Sequence, residues 1–177
     1  DVYLLRESGN IYRIWEGPQQ VSNLIDSGTA TKQIAPAGGV LYALKENGNV
    51  WAVQSTPGRE AQNRFQLRDS GTGAKEILSA GETLYILKEN GNVYRYFTSS
   101  TDVRQGYITE GFVLIDDGTN TKEISSSGST LYVLKESGNI WQTVPTLTQP
   151  FHEIWHQGDA KSIRADGKSL YFIKKDG

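Results

Sequence analysis

Short runs of apolar residues, each followed by a glycine-containing turn, recur along the whole chain. Several of these turns are of the type Asn47-Gly48, which tolerates the positive φ of a tight hairpin between two strands. The runs are rich in leucine, β-branched and aromatic residues, and no segment combines a helical apolar period with helix caps. The pattern therefore predicts an all-β chain of short antiparallel strands.

One phrase of about eleven residues occurs five times, and its last copy is shorter. The tyrosines at its second position are separated by 39, 43, 47 and 39 residues. The copies begin near residues 2, 41, 84, 131 and 170, and they span Val2–Tyr12, Leu41–Trp51, Leu84–Tyr94, Leu131–Trp141 and Leu170–Gly177. Periods of this size are typical of four-stranded propeller blades, so residues 1–177 are expected to form a single small β-propeller domain.

Each repeat unit is predicted to hold four antiparallel strands, which we name inner, second, third and outer. The phrase itself supplies the second and third strands. Inner strands begin at Lys32, Lys75, Lys122 and Lys161, and outer strands include residues 23–26, 65–68, 112–115 and 151–155. The chain has four inner, four third and four outer strands but five second strands. This count favours four blades closed by pairing of the N- and C-terminal strands, with part of a five-bladed or longer array as the alternative.

The hairpin Leu-Tyr-x-Leu-Lys-Glu-Asn-Gly-Asn-Val-Trp, followed by Leu-Ile-Asp-x-Gly-Thr, resembles the repeats of tachylectin-like β-propellers. The resemblance covers nearly the whole chain as a blade pattern. It implies a propeller fold, a lectin-like role and a secreted or cell-surface location. The sugar-contacting loop residues of tachylectins have no match in this sequence, so no binding residue is inferred from the family.

Composition narrows the range of partners. A net charge of −2 argues against a general affinity for nucleic acid, and no apolar run approaches the length of a membrane-spanning helix. The absence of cysteine removes disulfides, thiolate metal sites and cysteine nucleophiles. The first residues lack both methionine and the pattern of a signal peptide, which predicts a processed product or an excised domain.

The segment His152-Glu-Ile-Trp-His156 matches the H-E-x-x-H motif of zinc metalloproteases. That motif binds zinc because a helix places both histidines on one face. The repeat alignment instead places the segment in an outer strand, where residues four apart are separated by about 13 Å. We therefore predict no zinc site and no cofactor.

Three turns of the form Asp-x-Gly-Thr follow outer strands and begin at Asp26, Asp69 and Asp116. A carboxylate that folds back onto backbone N–H groups explains this pattern, with a calcium site at Asp116 and Asp117 as the alternative. The lysines that begin the inner strands are expected to form a ring near one mouth of the channel. Solvated or paired lysines are favoured over a ring that binds an anion or an acidic partner.

Aromatic residues at fixed repeat positions are expected to pack between blades. Residues outside this register, close to long loops, are better candidates for ligand contacts, namely Arg104, Tyr107 and Trp155. The sequence thus predicts a non-enzymatic recognition module that binds a glycan or the surface of another protein. A structural or assembly segment of a larger repeat protein is one alternative. A propeller hydrolase is another, although the sequence offers no convincing catalytic set.

Overall fold

The computed structural model describes residues 2–15, 21–28, 30–54, 65–70, 73–97, 111–117, 120–144 and 150–177. Within these ranges the chain forms seventeen β-strands, which confirms the all-β prediction. No helix in this part of the chain is long and apolar enough to cross a membrane. The chain divides into two compact units, Asp1–Ala74 and Lys75–Gly177, named unit 1 and unit 2.

Unit 1 contains two antiparallel sheets. The first consists of β1 (Val2–Leu5), β2 (Ile11–Trp15) and β3 (Val21–Asp26), in that order. The second consists of β4 (Thr31–Ala37), β5 (Val40–Lys45), β6 (Val50–Gln54) and β7 (Gln66–Asp69). The four-stranded sheet has the predicted inner, second, third and outer strands, whereas the three-stranded sheet begins at a second strand.

Unit 2 contains two four-stranded sheets and one strand pair. The sheets are β8 (Ala74–Ala80), β9 (Thr83–Lys88), β10 (Val93–Phe97) and β11 (Gly111–Asp116), then β12 (Thr121–Ser127), β13 (Thr130–Lys135), β14 (Ile140–Thr143) and β15 (His152–Trp155). The pair is β16 (Ala160–Asp166) with β17 (Ser169–Lys174), an inner and a second strand. The number of blades, their closure and the single domain over residues 1–177 stay predictions.

The turn between second and third strands explains why the phrase repeats. The N–H of Gly48 donates to the carbonyl of Lys45 at 2.9 Å, and the N–H of Asn49 donates to Asn47 Oδ1 at 3.0 Å. Gly48 has a φ of +80°, and a Cβ at this position would lie 2.8 Å from the backbone nitrogen of Gly73. Both the conformation and the space therefore require glycine. The same two bonds form in the β9–β10 turn of unit 2.

Apolar side chains between neighbouring sheets form the core of each unit. In unit 1 the buried cluster is Ile11, Leu41, Ala43 and Val53. In unit 2 one cluster contains Tyr85, Leu87, Val93, Ile124, Leu131 and Val133, and a second contains Leu134, Ile140, Ala160 and Ile163. Full burial of a leucine or isoleucine contributes about 2 kcal/mol, so these clusters hold the sheets of each unit face to face.

The register tyrosines pack as predicted, with one exception. Tyr42 and Tyr85 are buried, and Tyr3 and Tyr132 are partly buried. Tyr171, in β17, is 62% exposed, so the packing predicted for it is wrong. Among the described strands β17 pairs with β16 alone.

Candidate functional site

The Asp-x-Gly-Thr turn of unit 1 closes onto a lysine of a second strand. Asp26 Oδ1 accepts the N–H of Gly28 at 2.7 Å, which confirms the predicted folding back of this carboxylate. Lys45 Nζ lies 2.7 Å from the other carboxylate oxygen and donates to Thr31 Oγ1 at 2.6 Å. Both carboxylate oxygens of Asp26 thus contact donors from within the chain.

Unit 2 repeats this Asp–Thr–Lys cluster. Lys135 Nζ lies 2.5 Å from Asp116 Oδ2 and donates to Thr121 Oγ1 at 2.9 Å. The Thr121 hydroxyl donates to the same carboxylate oxygen at 2.8 Å. Asp116 is 12% exposed and Lys135 is 17% exposed, so solvent screens the pair only weakly. The alternative of a calcium site at Asp116 and Asp117 stays untested, with an ammonium already against the first carboxylate.

Trp155 occupies the position that aspartate holds in the other outer strands. It is paired with Ile140 in register, as Asp26 is with Ile11. The ring lies 4.8 Å from that of Phe172, and its Nε1–H donates to Asp159 Oδ1 at 2.7 Å. Trp155 is therefore partly buried in the packing between β15 and β17, and a ligand contact there stays a prediction.

Asp159 takes over the ion pair that the missing aspartate would make. Lys174, which ends β17 as Lys45 ends β5, lies 3.1 Å from Asp159 Oδ2. The hydrogen bond from Trp155, followed by that from Lys174, holds the pKa of Asp159 below its ordinary value. The other two ligand-contact candidates, Arg104 and Tyr107, lie outside the described residues.

The H-E-x-x-H segment lies on a strand, as the repeat alignment predicts. Its first four residues form β15, which pairs antiparallel with β14. Gln142 Nε2 lies 2.7 Å from His152 Nε2 across this pair. In the part of the chain that the structure describes, no three His, Asp or Glu side chains are grouped so that they could hold a metal ion. The two histidines therefore do not share the helical face that the metalloprotease motif requires.

Side chains join the inner strands of unit 2, which belong to different sheets. Lys75 Nζ donates to the carbonyl of Lys122 at 2.8 Å, and Lys122 Nζ donates to the carbonyl of Lys161 at 2.6 Å. Glu123 Oε2 accepts the N–H of Ile163 at 3.1 Å. We call these contacts the inner-strand seam. Lys75 and Lys122 are thus paired with backbone carbonyls of the next inner strand, in agreement with the expectation of solvated or paired lysines.

Glu76 lies in the same seam and titrates near neutral pH. Burial of its carboxyl is the main cause that raises its pKa to about 7, and the nearby Glu123 adds to the effect. The N–H of Ile124, followed by the charges of Arg164 and Lys75, lowers the pKa in part. Because the carboxylate accepts a backbone N–H of the next inner strand, its position is explained by the contact between strands.

The outer strands expose leucines that sequence analysis did not single out. Leu24 is 48% exposed, Leu67 42% and Leu114 43%. Each lies directly opposite a third-strand aromatic residue, the pairs being Tyr12–Leu24, Trp51–Leu67 and Tyr94–Leu114. We call Leu24, Leu67 and Leu114 the outer leucines. The signal that could have found them is a leucine at the same repeat position in three outer strands; in β15 this position is Glu153.

Comparisons with known proteins identify the fold. No protein-family model matches the chain, and no curated protein sequence is significantly similar to it. The structure resembles yeast RCC1 (Prp20) in complex with Kap60, at 13% identity and a TM-score of 0.59 over 96% of this chain and 51% of that chain. It resembles human WBSCR16 at 12% identity and a TM-score of 0.60, over 83% of this chain and 45% of that chain.

A further similar structure is Prp20p from Saccharomyces cerevisiae, described with its binding to Gsp1p and histones. It matches at 12% identity and a TM-score of 0.61, over 96% of this chain and 52% of that chain. The chain thus spans about half the length of the structures that it matches. These neighbours are RCC1-like propellers, and none of the three is a tachylectin, so the tachylectin resemblance is supported at the level of the fold. Repeated antiparallel sheets and these similarities together show that the chain has a β-propeller fold.

Proposed function

We propose that the chain is a non-enzymatic recognition module that binds another protein. The observation that carries the proposal is the exposure of the outer leucines at one register position in successive sheets. Repeated exposed apolar side chains beside partly buried aromatic residues are typical of surfaces that a protein partner covers.

The charged groups of the described residues support a binding role over catalysis. In three sheets a carboxylate is neutralised by the lysine that ends a second strand, the pairs being Asp26–Lys45, Asp116–Lys135 and Asp159–Lys174. A general base or nucleophile needs a carboxylate or hydroxyl that can reach a substrate. These carboxylates instead hold turns and strands together.

The aromatic residues favour a protein partner over a glycan. A sugar site needs accessible aromatic faces beside polar groups. Tyr42 and Tyr85 are buried and the Trp155 N–H is bonded to Asp159, so among the repeat-position tyrosines Tyr171 alone is largely exposed in the described residues. Two of the similar structures are named with protein partners, Kap60 for yeast RCC1 and Gsp1p and histones for Prp20p. Binding of a protein surface is therefore our proposal for this chain, and glycan binding is the competing outcome of its test.

The test compares two glutamate substitutions in the same strand. Leu24→Glu places a charge on an outer leucine, and Ser22→Glu places the same charge on an exposed residue two positions earlier on the same face of β3. Wild-type and variant chains are immobilised and used to capture binding proteins from the source cells, with quantitative mass spectrometry. The wild-type and variant chains are also applied to a glycan array with and without EDTA.

The proposal expects a protein that the wild type and Ser22→Glu retain and that Leu24→Glu loses by at least about tenfold, which corresponds to about 1.4 kcal/mol. A partner that binds both variants equally would contradict a role for the Leu24 surface. Specific binding to one sugar class without a protein partner would instead support a lectin.

A further inference from the structure

Tyr85 and Arg95 form a cross-strand pair in unit 2. Arg95, in β10, lies directly opposite Tyr85, in β9, so both side chains lie on one face of their sheet. That face packs against the next sheet of the unit, because Tyr85 and Val93 share a buried cluster with Ile124. Arg95 follows Val93 by two residues and therefore lies on the same face. A guanidinium thus enters the packing between two sheets.

Polar atoms of this pair are buried without a hydrogen-bond partner. Tyr85 is fully buried, and within the described ranges neither its hydroxyl oxygen nor Arg95 Nε has a hydrogen-bond partner. An unpaired buried donor destabilises a folded chain, and native structures seldom leave one without a water, an ion or a ligand. Two such atoms in one cross-strand pair therefore point to an acceptor that binds there.

Both groups are donors at neutral pH. Burial is the main cause that raises the pKa of Tyr85 to about 12, against smaller effects of Arg95 and then Thr83, which lower it. Thr83 lies near the hydroxyl but does not complete a hydrogen bond with it. The hydroxyl therefore keeps its proton, and the guanidinium keeps its charge. Among the described residues Arg95 has no ion-pair partner, so an acceptor with negative charge suits both groups.

The repeat shows that the fold does not require arginine at this position. The residues opposite the other register tyrosines are Arg13, Ala52 and Gln142. The strands pair in the same register in all four cases, although the side chain varies from alanine to arginine. Arg13 is itself only 3% exposed, so both units place an arginine beside a register tyrosine. Packing alone therefore does not explain Arg95, whereas binding of a ligand does.

The pair can be reached from the outer strand of its sheet. On its other side Arg95 lies opposite Val113, in β11, which is 37% exposed. This row across the sheet passes from the buried Tyr85 through the partly buried Arg95 to the exposed Val113. A small ligand can therefore approach the guanidinium from the side of β11.

We propose that Arg95 and Tyr85 bind a single oxyanion group of the carboxylate or phosphate type. The planar guanidinium presents N–H donors that match two oxygens of such a group, and the Tyr85 hydroxyl donates to one of them. The anion also neutralises a partly buried charge. The site is separate from the outer leucines, since Leu114 lies opposite Tyr94, whose side chain points to the other face of β10.

The test titrates the full isotope-labelled chain at neutral pH with sodium acetate, sodium phosphate or, at equal ionic strength, sodium chloride. NMR follows the Nε–H of Arg95 and the backbone amides of Tyr85 and Val113. These signals are expected to shift and saturate with at least one oxyanion, and the oxyanion that saturates at the lower concentration is the preferred group. The amides of Tyr42 and Ala52, which hold the same repeat positions without the charge, are expected to respond no more than they do to chloride.

Substitutions of the two donors separate binding from folding. Tyr85→Phe keeps the ring and is expected to weaken oxyanion binding at least about tenfold, while the anion-free chain stays at least as stable in urea because an unpaired hydroxyl is lost. Arg95→Gln is expected to abolish the saturable shifts of the Tyr85 and Val113 amides. Arg6→Gln, the matched control at an exposed position, is expected to change the affinity less than about twofold.

Three results would overturn the proposal. The first is a set of equal, unsaturated shifts with acetate, phosphate and chloride, which would report ionic strength alone. The second is an unchanged affinity in both Tyr85→Phe and Arg95→Gln. The third is an Arg95 Nε–H signal that ignores added anions but changes in Asp102→Asn or Glu110→Gln, since a carboxylate of the chain would then be the occupant.

Discussion

Glu76→Gln removes a carboxyl whose pKa burial raises from 4.5 to about 7. A folded-state pKa above the unfolded-state pKa means that the folded chain holds this proton more tightly. Between pH 4.5 and pH 7 the folded state therefore binds more protons, and the free energy of unfolding falls as the pH rises. At about 1.4 kcal/mol per tenfold change in proton affinity, ionised Glu76 costs about 3 kcal/mol above pH 7.

The glutamine keeps a carbonyl oxygen that can accept the N–H of Ile124 but carries no charge. We expect the variant to be more stable than the wild type by up to about 3 kcal/mol at pH 8, and the difference to shrink towards pH 4. Urea denaturation at half-unit pH intervals, followed by near-ultraviolet circular dichroism, gives the two stability profiles. Glu82→Gln, at an exposed turn of the same unit, removes the same formal charge and reports the effect of net charge alone.

The difference between the Glu76→Gln and wild-type profiles cancels the other titrating groups, so its shape is the decisive observation. A difference that is constant from pH 4 to pH 8 would refute the assignment of the raised pKa to Glu76. A wild type that gains stability relative to the variant as the pH rises would reverse the predicted sign. That result would mean that the carboxylate is stabilised by its neighbours more than it is destabilised by burial.

Four further substitutions test the turns and the ion pairs. Gly39→Ala is expected to lower the free energy of unfolding by about 1 kcal/mol. Gly48→Ala is expected to lower it by clearly more, because of these two glycines only Gly48 has backbone atoms in the space of the added methyl. Equal losses of the two variants in urea denaturation would contradict this difference. Lys135→Met leaves the largely buried carboxylate of Asp116 uncompensated. The substitution is expected to lower the free energy of unfolding by about 2–3 kcal/mol in the same assay. A loss below about 0.5 kcal/mol would contradict this expectation. Trp155→Phe removes the indole N–H that donates to Asp159, so the pKa of Asp159 is expected to rise towards its ordinary value. An NMR titration of the Asp159 carboxyl carbon measures this pKa. An unchanged pKa would argue against the hydrogen bond from Trp155.

The strands and their turns could be predicted because their causes are local. Asn47-Gly48 needs a positive φ and supplies its own hydrogen bonds, and the residues on either side favour strands. The exposure of Tyr171 could not be predicted in the same way. Burial at this repeat position depends on the strands and sheets that pack around it, which the tyrosine's own local sequence pattern does not specify.

The contacts between strands were less accessible to sequence analysis. The sequence predicts a solvated or paired Lys75, but its partner is a backbone carbonyl 47 residues away, which only the stacking of sheets in unit 2 brings close. Trp155 differs from the other outer strands because it replaces an aspartate. The structure shows why the replacement is tolerated: Asp159 supplies the carboxylate instead. The sequence places the outer leucines in strands but does not show their exposure, because hydrophobic patterning does not distinguish a covered position from an exposed one at a sheet edge.

Hydrogen-exchange mass spectrometry of the chain with and without its captured partner tests the central claim most directly. If the chain is a recognition module that binds through the outer leucines, exchange should slow in peptides that contain β3, β7 or β11 and should stay unchanged in the inner strands β4, β8 and β12. Slower exchange confined to the inner strands, or no change in the outer strands when the partner is bound, would contradict the account.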